Sequence, residues 1–333
     1  MYQATRIRLA RKPGQQFSTD DFTSETLQLE EPSDGEVICE THYISLDPYL
    51  AGLMRAWQGP QRDWSEGIIV GRMVGKIIAS KDPAFAKGDW VSGDSRWQSI
   101  EIIKGKHLQK IQPEDGIPAS AFLGVLGSSG ITAWVGINRV LKLEAGQTLS
   151  ISSAAGAVGA IAGQLAKALG ANVIGIAGGA QKCEQVVASL GFDACVDHSA
   201  ADFEAQLAAV AKDGIHAHYE NVGAKTLDPV LALMNDHGRI ALCGLIAHYL
   251  DNDAISLRNF RKLLTSGLTL EGFRVYDYEQ HTQQAKNELL AAIKAGDISV
   301  RETVTNGLDN APAAYISMLG SGGTGKHLIY CAG

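Results

Sequence analysis

The sequence predicts an α/β protein in which a β-rich part precedes a doubly wound parallel sheet. Three observations predict it. At Thr148-Leu149-Ser150-Ile151-Ser152 an apolar-alternating strand empties into the small-residue run Ser153-Ala154-Ala155-Gly156-Ala157-Val158-Gly159, and a helix starts at once. From there to about Ala295, strand-like and helix-like segments alternate, which is the pattern of a parallel sheet with crossover helices. Before about Ile117, short strands are closely punctuated by Gly and Pro. At 333 residues the chain exceeds one ordinary core, so two domains are expected.

Taken in order, Val37-Ile38-Cys39-Glu40, Gly67-Ile68-Ile69-Val70, Val74-Gly75-Lys76-Ile77-Ile78 and Asp89-Trp90-Val91-Ser92-Gly93 read as strands of the β-rich part. From Ala119 the composition turns toward helix. After the small-residue turn, Val158, Ile161, Ala162, Leu165, Ala166 and Leu169 recur at helical spacing, and Gly170 closes that helix. Asn172-Val173-Ile174-Gly175-Ile176 is the next strand. Then come Ala194-Cys195-Val196 as strand, 202–212 as helix, 215–219 as strand, 227–234 as helix and 239–243 as strand. A further strand covers 268–275, and a long helix covers about 279–295 and stops at Gly296. The tail, His327-Leu328-Ile329-Tyr330, is strand-like again and is expected to rejoin the first domain.

Composition excludes several classes. The formal charge is −7 with no basic run, so neither nucleic acid nor an anionic membrane is an expected partner. No apolar stretch reaches the length of a membrane span, and Met1-Tyr2-Gln3-Ala4-Thr5-Arg6 lacks a signal-peptide core. The five cysteines (Cys39, Cys183, Cys195, Cys243, Cys331) are odd in number and have no CxxC spacing. They read as reduced residues of a cytoplasmic protein.

The strand–turn–helix at 148–169 has the form of a dinucleotide-binding turn. Glycines let the backbone approach a pyrophosphate, and the N–H groups at the helix start face it. Ala154 stands where a first glycine is usual. An Asp or Glu at the end of the second strand would bond the adenosine ribose hydroxyls of NAD. Here that strand ends Ala177-Gly178-Gly179-Ala180-Gln181-Lys182, with no carboxylate and with a lysine just beyond. A carboxylate repels a ribose 2′-phosphate and an ammonium attracts it, so the expected cofactor is NADP. The alternative is that Lys182 is a solvated lysine in a first helical turn, where it opposes the helix dipole.

Six segments give the chain a resemblance. They are Asp47-Pro48-Tyr49-Leu50, Gly130-Ile131-Thr132-Ala133-Trp134, Ser153 to Gly159, Tyr219-Glu220-Asn221-Val222-Gly223, His237-Gly238-Arg239-Ile240-Ala241-Leu242-Cys243-Gly244, and Gly325-Lys326. In this order and spacing the chain resembles the zinc-independent medium-chain dehydrogenase/reductases, within them the alkenal, prostaglandin and curcumin reductases. The resemblance implies a GroES-like β-rich domain (1–123 with 299–333) and a Rossmann NADP-binding domain (124–298). It implies reduction of the C=C bond of α,β-unsaturated aldehydes and ketones by NADPH, and a homodimer.

Carried over residue by residue, the resemblance implies cofactor contacts at Thr132, Gly156, Ala157, Val158 and Gly159. It implies Lys182 on the 2′-phosphate, with His198 where relatives often have a tyrosine. Asn221 is implied near the nicotinamide ribose. Cys243, Gly244, Leu245, Ile246 and Tyr249 are implied along the nicotinamide, and Phe273, Arg274 and Val275 at its carboxamide. Tyr249 is the first candidate for a catalytic donor and Tyr49 the second. Asn221 reads equally as a turn asparagine, Cys243 as a small apolar residue and Phe273 as core. Gly323 replaces a common cofactor-contacting asparagine, and Ala51 replaces an arginine near the expected substrate entrance. Tyr43, Tyr49, Trp57 and Trp64 are either a pocket for flat conjugated substrates or core. Candidate loops for substrate length are 58–65 and 247–255.

Zinc alcohol dehydrogenases share this architecture and need Cys, His or carboxylate ligands. Their Gly-His-Glu is here Gly71-Arg72-Met73, so no metal is expected, and the pair His216 and His218 lacks a third ligand nearby. Ser128-Ser129 and Ser152-Ser153 lack a nucleophile-elbow context. Competing functional readings are an NADPH:quinone oxidoreductase and a nucleotide-binding member without catalysis.

Overall fold

The structure, a computed structural model, describes residues 1–14, 16–55, 67–249, 254–320 and 322–332. In chain order the first elements are β1 (Tyr2–Leu9), β2 (Phe22–Leu29), β3 (Glu36–Ser45), α1 (Leu50–Arg55), β4 (Val70–Ser80), β5 (Trp90–Arg96), β6 (Ile100–Lys104) and β7 (Leu108–Lys110). Next come α2 (Ser128–Val135), β8 (Thr148–Ser152), α3 (Gly159–Ala168), β9 (Asn172–Ala177), α4 (Ala180–Leu190), β10 (Ala194–Asp197), α5 (Phe203–Val210) and β11 (Ile215–Glu220). They are followed by α6 (Ala224–Leu233), β12 (Met234–Leu242), α7 (Lys262–Thr265), β13 (Thr269–Gly272) and α8 (Thr282–Ala295). The chain ends with β14 (Glu302–Asn306), α9 (Ala311–Leu319) and β15 (Lys326–Tyr330). Two compact units form: Met1–Leu123 with Glu302–Gly333, and Gly124–Arg301. The return to the first unit thus falls between Arg301 and Glu302, three residues later than the sequence reading puts it.

The first unit is a seven-stranded sheet in the order β14-β15-β3-β4-β5-β7, with β6 paired to β3. A separate antiparallel pair, β1-β2, runs in register from Tyr2 opposite Leu29 to Leu9 opposite Phe22. Of the strands expected at 67–70 and 74–78, the second lies inside β4, whereas of the first only Val70 does. Gly71 reads as punctuation between them but lies inside β4, as Gly75 does. A Cβ on Gly75 would stand 2.3 Å from the Glu40 carbonyl oxygen, so glycine there answers close strand packing rather than a turn. The core includes Trp97 stacked on Phe22 at 6.1 Å and edge-on to Tyr315 at 5.6 Å.

The second unit is a six-stranded parallel sheet in the order β10-β9-β8-β11-β12-β13. Every residue of β8 is buried, as befits a central parallel strand covered on both faces. The apolar face of the crossover helices packs on the sheet through Ile174, Val196, Phe203, Leu207, Leu227 and Ile240, among others. Helix α3 ends as the sequence predicts. Gly170 has φ +83°, its N–H donates to Lys167 O, and Ala171 N–H donates to Ala166 O. The strand expected over 268–275 stops at Gly272, and a 3₁₀ segment from Val275 to His281 leads into α8. Among the described residues no helix is long and apolar enough to cross a membrane.

Candidate functional site

The strand order turns back between β8 and β11, the switch point at which open α/β sheets place ligands outside their carboxyl ends. The turn after β8 takes an unexpected form. Its left-handed residue is Ser153, with φ +52°, and Ala154 is buried beneath it. Gly156 N–H donates to Ser153 O at 2.9 Å. A Cβ on Gly159 would stand 2.4 Å from Ser153 O, so glycine at that position lets helix α3 begin against the turn. Val158 precedes α3 without capping the helix through its side chain, which leaves the helix start suited to an anion.

The turn after β11 is bound to the turn after β8 by a buried polar network. Glu220 is fully buried. Its Oε1 accepts from Ser152 Oγ at 2.7 Å, Val222 N at 2.5 Å, Gly223 N at 2.8 Å and Thr226 Oγ1 at 3.0 Å. Its Oε2 lies 2.7 Å from His218 Nε2, and His218 Nδ1 lies 2.7 Å from Ser150 Oγ. Burial pushes the Glu220 carboxyl up, but the bonds from His218, Ser152 and Gly223 outweigh it and hold the group below the usual range. Asn221 closes the link: its N–H donates to Ser152 Oγ at 2.7 Å and its Nδ2 donates to Ser152 O at 2.8 Å. The amide oxygen of Asn221 is thereby turned away from Ser152. The two histidines set apart as a metal pair are structural: His218 is the partner of Glu220, and His216 Nδ1 accepts from Thr148 N at 3.1 Å.

The segment after β12 docks on the same place. Cys243 N and Gly244 N donate to Glu220 O, and Ile246 N donates to Asn221 O at 3.1 Å. Tyr219 Oη donates to Thr132 O at 2.9 Å, and its ring meets Phe273 edge-on at 6.2 Å. Burial pushes the Cys243 thiol up to about 12, despite a hydrogen bond with Tyr219. Thr132, Cys243 and Phe273 therefore meet at Tyr219, and Gly244 and Ile246 bond to Glu220 and Asn221 just beyond it. Arg274 sends its side chain to Asp277 at 2.8 Å, and Val275 opens the 3₁₀ segment. Tyr249 Oη accepts from Leu245 N at a long 3.4 Å, and burial raises its pKa.

At the other edge of the site, Lys182 lies in the first turn of α4, with its pKa lowered by burial. Asp197, at the end of the neighbouring strand β10, is engaged by backbone. Its Oδ1 accepts from Gly179 N and Ser199 N, both at 2.8 Å. His198 N donates to Ala177 O at 3.0 Å, which sets the histidine beside the end of β9. The residues present fit a phosphorylated dinucleotide: a close-packed glycine turn, an uncapped helix start and a lysine at the end of β9.

In the first unit, Asp47 and Lys326 meet at 2.5 Å, with Ser45 Oγ donating to Asp47 at 2.5 Å. Two of the six quoted segments, far apart in sequence, are thus joined by an ion pair. Lys326 and Ser45 overcome the cost of burial and lower the Asp47 pKa. Tyr49 is 39 % exposed, whereas Ala51 is fully buried. Tyr43 packs on Tyr330 at 5.1 Å. Trp57, Trp64, the 58–65 loop and part of the 247–255 loop lie outside the described residues. Met73 is buried and 3.9 Å from Cys39 Sγ. Among the described residues, no three His, Cys, Asp or Glu side chains are grouped to hold a metal. Sequence reasoning missed the roles of Glu220, Ser152 and Asp197. The motif Tyr219-Glu220-Asn221-Val222-Gly223 puts a carboxylate at the end of a buried strand that also carries His218, and that was the available signal.

A β-rich unit together with a doubly wound sheet that carries a dinucleotide turn defines the chain as a medium-chain dehydrogenase/reductase. Residues 5–111 match the family described as the N-terminal domain of oxidoreductase, and residues 157–294 match the zinc-binding dehydrogenase family. The chain is 37 % identical to the NADPH-dependent curcumin reductase of Escherichia coli (strain K12), over 98 % of this chain and 96 % of that protein. It is 36 % identical to the 2-alkenal reductase (NADP(+)-dependent) of Nicotiana tabacum, over 91 % and 90 % respectively. The crystal structure of CurA in complex with NADPH from Vibrio vulnificus superposes with a TM-score of 0.93, at 33 % identity and 99 % coverage of both chains. The chain belongs to the curcumin, alkenal and prostaglandin reductase branch of this superfamily.

Proposed function

We propose that the protein is an NADPH-dependent reductase of the C=C bond of α,β-unsaturated ketones and aldehydes. The observation that carries this is the network at the switch point, where Ser152, Glu220 and Asn221 lock two cofactor-facing turns together, beside a β9 end that carries Lys182 and no carboxylate of its own. Relatives of this length and identity support the substrate class. When bound, NADPH supplies hydride to the β-carbon of the enone. The turn 153–159 and the start of α3 bind the pyrophosphate. Lys182 and His198 hold the 2′-phosphate, and Asn221 presents its amide oxygen to a ribose hydroxyl. The segment 243–246, with Thr132 and Phe273 to Val275, flanks the nicotinamide. Tyr249 donates its hydroxyl proton as a hydrogen bond to the carbonyl oxygen, where negative charge develops, and Tyr49 is the second candidate. The test is NADPH oxidation with a panel of enones, enals and quinones, with product analysis. A saturated ketone or aldehyde is expected. A saturated alcohol, or turnover of quinones alone, overturns the assignment.

Lys182→Ala is expected to weaken NADPH binding about ten- to hundredfold, the size of one charge-assisted phosphate contact, and to leave NADH nearly unchanged. Fluorescence titration with both cofactors checks it. Equal loss for NADH removes the 2′-phosphate role.

The reading includes a homodimer in the cytoplasm. The cysteines are free, which fits a reducing compartment. β13 forms an edge of the parallel sheet, and Phe260 and Leu264 before it are 61 % and 84 % exposed. Such an edge with apolar neighbours is a natural place for a second copy. Sedimentation equilibrium is expected to give twice the chain mass, and Leu264→Glu is expected to shift it toward one.

A further inference from the structure

Three cationic or titratable side chains from three elements converge beside the end of β9. His198 follows β10, and a Cβ on Gly178 would stand 3.2 Å from its Nε2, so the ring rests on the glycine backbone. Its Nδ1 is buried and has no hydrogen-bond partner among the described residues. Lys225, the second residue of α6, and Lys182, in the first turn of α4, both act on the ring. His198, Lys225 and the α5 start border one open concavity of about 730 Å³.

The acids around it are engaged elsewhere. Asp197 is held by Gly179 N and Ser199 N. Asp202 accepts from Gln206 at 2.7 Å, and Glu204 and Asp228 pair with Arg258 at 2.6 and 2.8 Å.

Resting on the NADPH reading above, we propose that His198 takes up a proton when the 2′-phosphate binds, with Lys225 as a further cation of the same phosphate site. A phosphate monoester brings nearly two negative charges and three acceptor oxygens. Without it, burial and then Lys225 favour the neutral imidazole, with Lys182 adding to them and Asp197 opposing. With it, the two lysines are neutralised and a dianion faces the ring, so the imidazolium is favoured. The proton comes from solvent, and no bond is broken. Affinity for NADPH then rises as pH falls from about 8 to about 6.5. Below about 6 the phosphate itself takes a proton and the gain ends.

The experiment is isothermal titration of the full chain with NADPH and NADH, in two buffers of different ionisation enthalpy, across that range. The unmodified protein is expected to take up protons with NADPH and to bind it roughly five- to tenfold more tightly at the low end, with neither effect for NADH. His198→Gln is expected to abolish the uptake and flatten the profile. Lys225→Ala is expected to weaken NADPH severalfold and spare NADH, whose binding also reports that each variant is folded. An unchanged proton count and slope in His198→Gln overturns the inference while leaving the NADPH reading intact. Equal binding of both cofactors by the unmodified protein overturns that reading instead.

Discussion

Glu220→Ala is expected to destabilise the second unit by about 3–5 kcal/mol, the cost of breaking a buried pair by removing one partner. The carboxylate is fully buried and accepts from two backbone N–H groups, two hydroxyls and His218. Truncation leaves those donors facing a cavity, and each buried donor without a partner costs on the order of 1–3 kcal/mol. It also frees Ser152 and Val222, so the two turns lose their common anchor and NADPH affinity falls with stability. Urea unfolding followed by near-UV circular dichroism checks the first effect, and NADPH fluorescence checks the second. Glu220→Gln separates charge from shape. The folded carboxyl is held below its ordinary pKa, so its contribution is complete above the ordinary carboxylate range. That contribution is lost as pH falls through that range toward the depressed value. The Gln variant is expected to lose this part of the acid sensitivity. A variant as stable as the parent at neutral pH removes Glu220 as the anchor.

How much of this was legible in the sequence depended on whether the partners were local. The dinucleotide turn was legible because strand, small residues and helix face are contiguous. So were the ends of α3 and α8, which Gly170 and Gly296 mark with φ of +83° and +82°. The site residues around Tyr219 came from a family resemblance and not from pattern. Their physical link runs through contacts such as Ser152 with Glu220, 68 residues apart, which no local periodicity encodes. Ala154 was read as a departure at the first glycine position, but the backbone places its left-handed residue at Ser153, so alanine meets no penalty there. Glycine also misled in the first unit. Gly71 looks like a breaker between two strands, yet it sits in β4, where a Cβ would stand 3.3 Å from the Trp97 ring nitrogen. The elements missed include β1, β2, α1, β6, β7, β14 and α9. β14 is flanked by charge and Gly, and β1 alternates Arg with Ile and Leu, so its apolar signal is diluted by charge.

Tyr249→Phe is expected to lower kcat by about ten- to a thousandfold on the best enone, the range for losing one hydrogen-bond donor to a developing oxyanion, with little change in NADPH affinity. The argument begins with position. Tyr249 follows the 3₁₀ turn Ile246–His248, which hangs from Asn221 O and Val222 O by backbone bonds. The same network that fixes Asn221 therefore fixes the base of the tyrosine segment. A Cβ on Gly244 would stand 3.4 Å from Tyr249 Oη, so the hydroxyl lies over the backbone at the end of β12. Leu245 N donates to that oxygen at 3.4 Å, a bond that does not use the hydroxyl proton. Burial raises the pKa of the phenol above its ordinary value, so it stays protonated through neutral pH and keeps its donor. A neutral donor gains little from a ground-state carbonyl and more from an enolate oxygen, which places the effect on kcat rather than on KM. Single-turnover NADPH oxidation, which excludes product release, is the measurement. A Phe variant with unchanged single-turnover rate removes the donor role from Tyr249, and Tyr49→Phe then tests the second candidate. A variant whose loss falls on NADPH affinity alone assigns Tyr249 to cofactor packing instead.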